Sequence, residues 1–160
     1  MAILYSEKAY NLRDYTKGNN FTYLSTEDAT YTFPVYDNKN LKTFSCATFL
    51  QQVLLDMGYT QFAGSEKIYA YTKPAYAKYN FENLGFEVEI ITDQTKFQPG
   101  DILNAKSAYH TFIVTEVKDD KSVVCMGYPE VRNYPNGRIR SQQELKNNGY
   151  YAVRVVGIKQ

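Results

Sequence analysis

Two residues of this 160-residue chain can together form a nucleophile and its base. Cys46 lies in the stretch "FSCATFLQQVLLDMGY", and His110, the only histidine, begins the stretch "HTFIVTEV". A thiol attacks a carbonyl carbon as its thiolate, which a helix N-terminus or a neighbouring imidazole favours. Both residues also have ordinary structural interpretations, because a lone cysteine on an apolar helix face commonly fills the core. The sequence therefore offers a Cys/His site as one hypothesis and two structural residues as the other.

Other kinds of reactive site lack the residues that they need. Two cysteines and one histidine supply too few soft ligands for zinc, and no CxxC or HxxxH spacing occurs. The chain contains no GxSxG elbow, no glycine-rich phosphate loop and no GxGxxG fingerprint. Asp119 and Asp120 fall between two predicted strands and are interpreted as turn residues. We expect no metal ion and no cofactor.

The element that must position Cys46 is a helix that begins at or next to it. Ser45 is a suitable N-cap, and Gly58 is a suitable C-terminal stop. Between them the apolar positions follow helical spacing: Cys46, Phe49, Leu50, Val53, Leu54 and Met57. Cys46 then lies in the first turn, where the helix dipole is positive and backbone N–H groups lack partners. Those N–H groups can also contribute to an oxyanion hole.

The remaining pattern predicts an α+β fold in which an antiparallel sheet packs against that helix. We expect a short helix at 5–15, irregular structure at 19–43, a second helix at about 74–84, and a helical turn at 141–148. Strands are predicted at "FEVEII", after the turn in "FQPGDIL", at "HTFIVTEV" and "KSVVCM" as a hairpin around "KDD", and at "YYAVRVVGI". The chain is predicted to be a single domain, 1–160, with a lead-in at 1–43 and a core at 44–160.

Composition narrows the class of partner. The net charge of +1 gives no electrostatic basis for binding nucleic acid, and no apolar run reaches the roughly 20 residues of a membrane span. The N-terminus lacks the apolar core of a signal peptide, so we expect synthesis in the cytoplasm with reduced thiols. The 16 tyrosines and 9 phenylalanines suit the rim of a groove that binds polar polymers, although a biased genomic base composition would give the same enrichment.

The order of these segments resembles that of the NlpC-type cell-wall peptidases and of the related CHAP amidases. In those families a helix of the type Cys-Ser/Ala-x-Phe-Val carries the nucleophile, and "SCATFLQQVLLDMGY" is similar. A family segment "LxPGDI" precedes "HVGIV", as "FQPGDIL" precedes "HTFIVTEV" here, and "YYAVRVV" is similar to the closing strand. The resemblance covers roughly residues 40–156. It implies a papain-like fold with Cys46 as nucleophile and His110 as base.

The chain departs from the family at several positions. Ser45 stands where the family commonly has Asp, and bulky Phe112 stands where Gly or Ala is common. The largest departure concerns the polar residue that orients the imidazole. Folding the hairpin around "KDD" is expected to bring residues 125–127 opposite His110, and none of these is a usual orienting group. The candidates for the orienting group just beyond are Tyr128, Glu130 and Asn133, of which Glu130 is preferred. A backbone carbonyl is a further alternative.

A tyrosine upstream of the nucleophile also assists the oxyanion in many NlpC-type enzymes. The resemblance places this role on Tyr31 in "ATYTFPVYD", with Tyr36 as the second candidate. The implied reaction is acyl transfer, in which Cys46 attacks an amide or peptide bond of the peptidoglycan stem peptide. The resemblance does not distinguish N-acetylmuramoyl-L-alanine amidase from D,L-endopeptidase or cross-bridge endopeptidase activity.

The setting of such an enzyme follows from the expected lack of a signal peptide. A phage lysin, a piece of a tail protein or a delivered toxin would each reach the cell wall after release or delivery, and the first is preferred. Two alternatives remain open: a cysteine peptidase or amidase with a non-wall substrate, and a catalytically inactive papain-like module that binds wall fragments or a protein. The lack of an evident orienting residue favours the inactive module.

Overall fold

The structure, a computed structural model, describes residues 45–56, 59–128, 130, 134 and 137–158, without the side chains of residues 52, 53 and 56. The expected helix at 5–15, the irregular segment at 19–43 and both candidate tyrosines, Tyr31 and Tyr36, therefore lie outside the described residues. So do Met57, the last apolar position predicted for the cysteine-bearing helix, and Gly58, its predicted C-terminal stop.

The described chain folds around one six-stranded antiparallel sheet. The helices are α1 (Cys46–Asp56), α2 (Pro74–Asn83) and α3 (Gln142–Asn147), with 3₁₀ turns at Thr60–Phe62 and Gln94–Lys96. The strands are β1 (Phe86–Ile91), β2 (Ile102–Ala105), β3 (Thr111–Val117), β4 (Val123–Met126), β5 (Arg138–Arg140) and β6 (Tyr150–Ile158). Their order across the sheet is β1-β6-β2-β3-β4-β5, and every neighbouring pair is antiparallel.

Alternating side chains along the strands divide the apolar core between the two faces of the sheet. On one face, Ile102, Ile113 and Tyr151 join a cluster with α1 and α2. On the other face, Leu103 and Val114 join a second cluster, to which α3 contributes Leu145. Helix α1 packs against β3, and its first residue, Cys46, accepts a hydrogen bond from the backbone of Thr111, where β3 begins.

This architecture confirms the predicted α+β class with its antiparallel sheet. The hairpin of β3 and β4, the second helix and the closing strand β6 lie where the sequence patterns place them. One strand was not predicted, namely the three-residue edge strand β5. In the part of the chain that the structure describes, no helix combines the length and the apolar character that crossing a bilayer requires.

A buried ion pair joins two of the sequence segments singled out above. Asp101, from "FQPGDIL", is fully buried and accepts hydrogen bonds from both Nε and Nη2 of Arg154, at 2.9 Å each. Arg154 comes from the closing segment "YYAVRVV", and its Nη2 also donates to the carbonyl of Lys96. The same carboxylate accepts the backbone N–H of Gln98, which fixes the turn before β2. These two motifs therefore tie the start of β2 to β6.

Candidate active site

The N-terminus of α1 is fixed by a reciprocal cap. The N–H of Thr48 donates to Oγ of Ser45 at 3.2 Å, and the N–H of Ser45 donates to Oγ1 of Thr48 at 2.8 Å. This is the pattern of a capping box with threonine in the third position, and it confirms Ser45 as the N-cap. Cys46 is consequently the first residue of α1, half-buried at the head of the helix.

The thiol of Cys46 lies in a set of hydrogen-bond donors. Burial alone would raise its pKa, but hydrogen bonds from the His110 ring and from the backbone of Thr111 outweigh burial. The charge of His110 and the backbone N–H of Ala47, in the first turn of α1, act in the same direction, so that the pKa of Cys46 lies below its ordinary value. The arrangement favours a thiolate.

His110 is held between Cys46 and a buried carboxylate. Its Nε2 lies 2.6 Å from Oε2 of Glu130, which leaves Nδ1 for the thiol. Burial would lower the pKa of His110, but its hydrogen bonds to Cys46 and Glu130 raise that pKa to about 9. The lowered pKa of Cys46 and the raised pKa of His110 both favour the thiolate–imidazolium form of the pair, which is the reactive state of a cysteine nucleophile.

Glu130 reaches the imidazole because β4 ends before it. The register pairs Ile113 with Met126, so the expectation that residues 125–127 lie opposite His110 is wrong. Gly127 instead approaches Phe112 so closely that a Cβ atom there would lie 2.9 Å from Cβ of Phe112. The chain then turns, and Glu130 enters the site from the connection after β4.

The carboxylate of Glu130 is only 6 % exposed and ionised. Burial raises its pKa, but the hydrogen bond from His110 and the neighbouring charges lower it to about 2. Arg140, on β5, supplies a second cation, with Nη2 2.5 Å from Oε2 of Glu130. Sequence reasoning missed Arg140, which lies on a three-residue strand too short to show a periodic pattern.

Of the other candidates for the orienting residue, one packs on α1 and the rest lie outside the described residues. Tyr128 is half-buried and stacks on Phe49 of α1, with ring centroids 6.1 Å apart. Asn133, Tyr31 and Tyr36 lie outside the described residues. Asp120 is a turn residue as predicted, since its Oδ1 accepts the N–H of Ser122. Among the described residues no group of three or more His, Cys, Asp or Glu side chains is placed to hold a metal ion.

The chain was compared with family models, with curated proteins and with solved structures, and none of the three comparisons gives a match. What the site can do must therefore be argued from its chemistry. The described residues offer a thiol in contact with an imidazole, a carboxylate on the far ring nitrogen, and the backbone N–H groups of a helix N-terminus beside the thiol. This is the set of groups that nucleophilic acyl transfer requires.

Proposed function

We propose that the protein is a cysteine hydrolase that cleaves amide or peptide bonds, with Cys46 as nucleophile and His110 as base. The observation that carries the proposal is the chain of contacts from the thiol of Cys46 to the His110 ring and on to the buried carboxylate of Glu130. A cysteine that merely fills core has no need of a charged partner, and it would have a raised pKa.

The groups act in a defined order. The thiolate of Cys46 attacks the carbonyl carbon, and N–H groups at the head of α1 stabilise the negative oxygen of the tetrahedral intermediate. The imidazolium of His110 then donates its proton to the leaving amine as the C–N bond breaks, which leaves a thioester. Neutral His110 next takes a proton from water, whose oxygen attacks the thioester and releases the acid. Glu130 keeps the ring in one orientation and stabilises the imidazolium in both steps.

We propose a papain-like arrangement and a peptidoglycan stem peptide as substrate, both of which rest on the resemblance to NlpC-type peptidases and CHAP amidases. Three features support this assignment: a helix that presents its cysteine to the end of an antiparallel sheet, a histidine at the start of a strand, and a buried carboxylate in place of the orienting residue. Tyr109, next to His110, is 82 % exposed and offers a ring to a polar polymer. The enzyme would act on the wall after release or delivery from the cell.

The test is digestion of purified peptidoglycan, followed by separation of the released muropeptides and detection of new amino groups. We expect cleavage by the parent protein and none by Cys46→Ala or His110→Ala. Asp119→Ala serves as a matched control, because Asp119 is exposed on the hairpin turn at the far end of β3 from His110, about 20 Å away along a seven-residue strand. It should cleave as the parent does.

The outcomes separate the chemistry from the substrate. Equal cleavage by the parent and by Cys46→Ala would refute the mechanism. A Cys46 thiol that alkylates rapidly at pH 6, in a protein that leaves peptidoglycan intact, would refute the wall substrate and retain a cysteine hydrolase that acts on other amides. A thiol that reacts no faster than a free cysteine at that pH would favour an inactive module.

A further inference from the structure

The edge strand β5 inverts the usual distribution of polar and apolar residues. Ile139 is 57 % exposed, whereas the side chain of its neighbour Arg140 is only 6 % exposed. Arginine is among the residues least often buried, and burying its charge without a partner is costly. A strand of three residues that exposes an isoleucine and buries an arginine therefore points to a specific requirement for the guanidinium.

The guanidinium of Arg140 is held on every side. Nε donates to Sγ of Cys125 on β4 at 3.3 Å, and Nη1 donates to Oε2 of Glu144 on α3. The plane of the group lies over the ring of Phe112, 4.7 Å from its centroid, and 5.8 Å from that of Tyr150. These contacts come from four different elements, so they fix the planar guanidinium in one orientation.

In that orientation Nη2 of Arg140 points at the candidate site. It lies 2.5 Å from Oε2 of Glu130 and 3.4 Å from Nε2 of His110, so both cations converge on one carboxylate oxygen. Glu130 itself lies outside the ladder of the sheet, on the connection between β4 and β5. We propose that Arg140 is a positioning residue that fixes the Glu130 carboxylate against His110 and so controls the proton equilibrium of the Cys46–His110 pair. This inference rests on the proposed function.

The direction of the effect follows from the charges around the pair. The titratable and charged groups that face Arg140 are Cys125, Glu130, Glu144, Tyr150, His110 and, beside it on β5, Arg138. Loss of the positive charge removes an attraction that stabilises the Cys46 thiolate and a repulsion that destabilises the His110 imidazolium, so both groups should lose their protons at higher pH. Loss of the guanidinium also removes a hydrogen bond that holds the carboxylate of Glu130 in position.

The experiment measures the alkylation rate of Cys46 against pH by peptide mass spectrometry, with free cysteine under the same conditions as reference. We compare the parent with Arg140→Met, which keeps the length of the side chain without charge or fork, and with Arg140→Lys, which keeps the charge. We expect the alkylation midpoint of Cys46 to rise by about one pH unit in Arg140→Met and by about half as much in Arg140→Lys.

A purely structural role would lower the melting temperature and leave the midpoint within about 0.2 pH unit of the parent's in both variants, which would overturn the inference. If Arg140→Met does not fold, Arg140→Lys and Glu144→Gln decide the matter, because Glu144 is the outer anchor of the guanidinium. An unchanged midpoint in both would equally overturn it. If Cys46 of the parent has the alkylation midpoint of free cysteine, the proposed function is refuted instead. Failure of the proposed function can therefore be distinguished from failure of the inference about Arg140.

Discussion

Replacement of Glu130 by glutamine should change the pH dependence of the proposed hydrolysis without abolishing the activity. Oε2 of Glu130 receives both the contact from His110 and the contact from Arg140. A glutamine carbonyl oxygen at that point can accept from both, so orientation of the ring is retained while the negative charge is lost. Glu130→Gln therefore tests charge, and Glu130→Ala tests charge and orientation together.

The magnitude follows from the pKa of His110, which is about 9 in place of 6.5. That difference corresponds to roughly 3 kcal/mol in favour of the imidazolium, to which Cys46 and Glu130 both contribute. We expect Glu130→Gln to move the alkaline limb of kcat/KM down by about one to two pH units. Near pH 6, below that limb in both proteins, the rates should differ little.

Glu130→Ala should behave differently at every pH. The ring of His110 then loses its acceptor on Nε2 and can rotate away from the thiol. A decrease of about 10²- to 10⁴-fold is expected throughout the profile, the range that general acid–base catalysis contributes. The assay is the initial rate of amino-group release from peptidoglycan at low substrate concentration, from pH 5 to pH 10, with Asp119→Ala as the control variant.

Glu130→Gln should also change how the free energy of unfolding depends on pH, and the sign of the change follows from the two pKa values. The pKa of Glu130 is about 2 in the folded protein against an ordinary 4.5, so its contribution is present above pH 4.5 and is lost as pH falls through 2. The contribution of His110 is full below pH 6.5 and is lost as pH rises through about 9. Urea denaturation should therefore show the largest difference between parent and Glu130→Gln between pH 4.5 and 6.5.

Two results would refute this reasoning. One is an alkaline limb of Glu130→Gln that coincides with that of the parent, since the charge would then have no influence on the imidazolium. The other is equal activity of Glu130→Ala and Glu130→Gln, since the carboxylate would then not orient the ring. In both cases the melting temperature must show that the variant is folded at the temperature of the assay.

Two further predictions concern the framework. Asp101→Asn should lower the free energy of unfolding by about 3 kcal/mol in urea denaturation, because it leaves the partly buried charge of Arg154 without its carboxylate; a loss below about 1 kcal/mol would contradict this. Gln51→Ala should lower the free energy of unfolding by about 2–4 kcal/mol. The Gln51 side chain is buried and forms hydrogen bonds with the backbone at four positions between residues 62 and 68. The matched control is Gln143→Ala at an exposed position, which should lower the free energy of unfolding by less than about 0.5 kcal/mol.

The sequence was informative where one local rule decided the structure. Helical spacing and a capping serine determine where α1 begins, and a β-branched run between turn residues determines the β3–β4 hairpin and β6. The end of β4 could not be predicted in this way. It depends on a bulge between Val114 and Glu116, which shifts the register by one residue, and on the close approach of Gly127 to Phe112. The position of Glu130 is a consequence of both.

Arg140 could not be found from sequence for a related reason. A three-residue edge strand is too short to show periodicity, and hydropathy predicts that Ile139, not Arg140, faces the core. Its burial is explained only when Glu130, Glu144 and the rings of Phe112 and Tyr150 are brought together from separate elements. Exceptions to local rules are expected where a fold supports a site, because stability is traded there for placement of charge.

The two cysteines of the chain explain why residue type alone could not decide the role of Cys46. Both lie on apolar patterns, and both lie near cations. Cys125 is completely buried on β4, and burial raises its pKa to about 12 despite the neighbouring charge of Arg140. Cys46 is half-exposed at a helix N-terminus, where three donors outweigh burial and lower its pKa. The difference is that the cation beside Cys125 is already committed to two carboxylates, whereas the imidazolium beside Cys46 has the thiolate as one of its two partners.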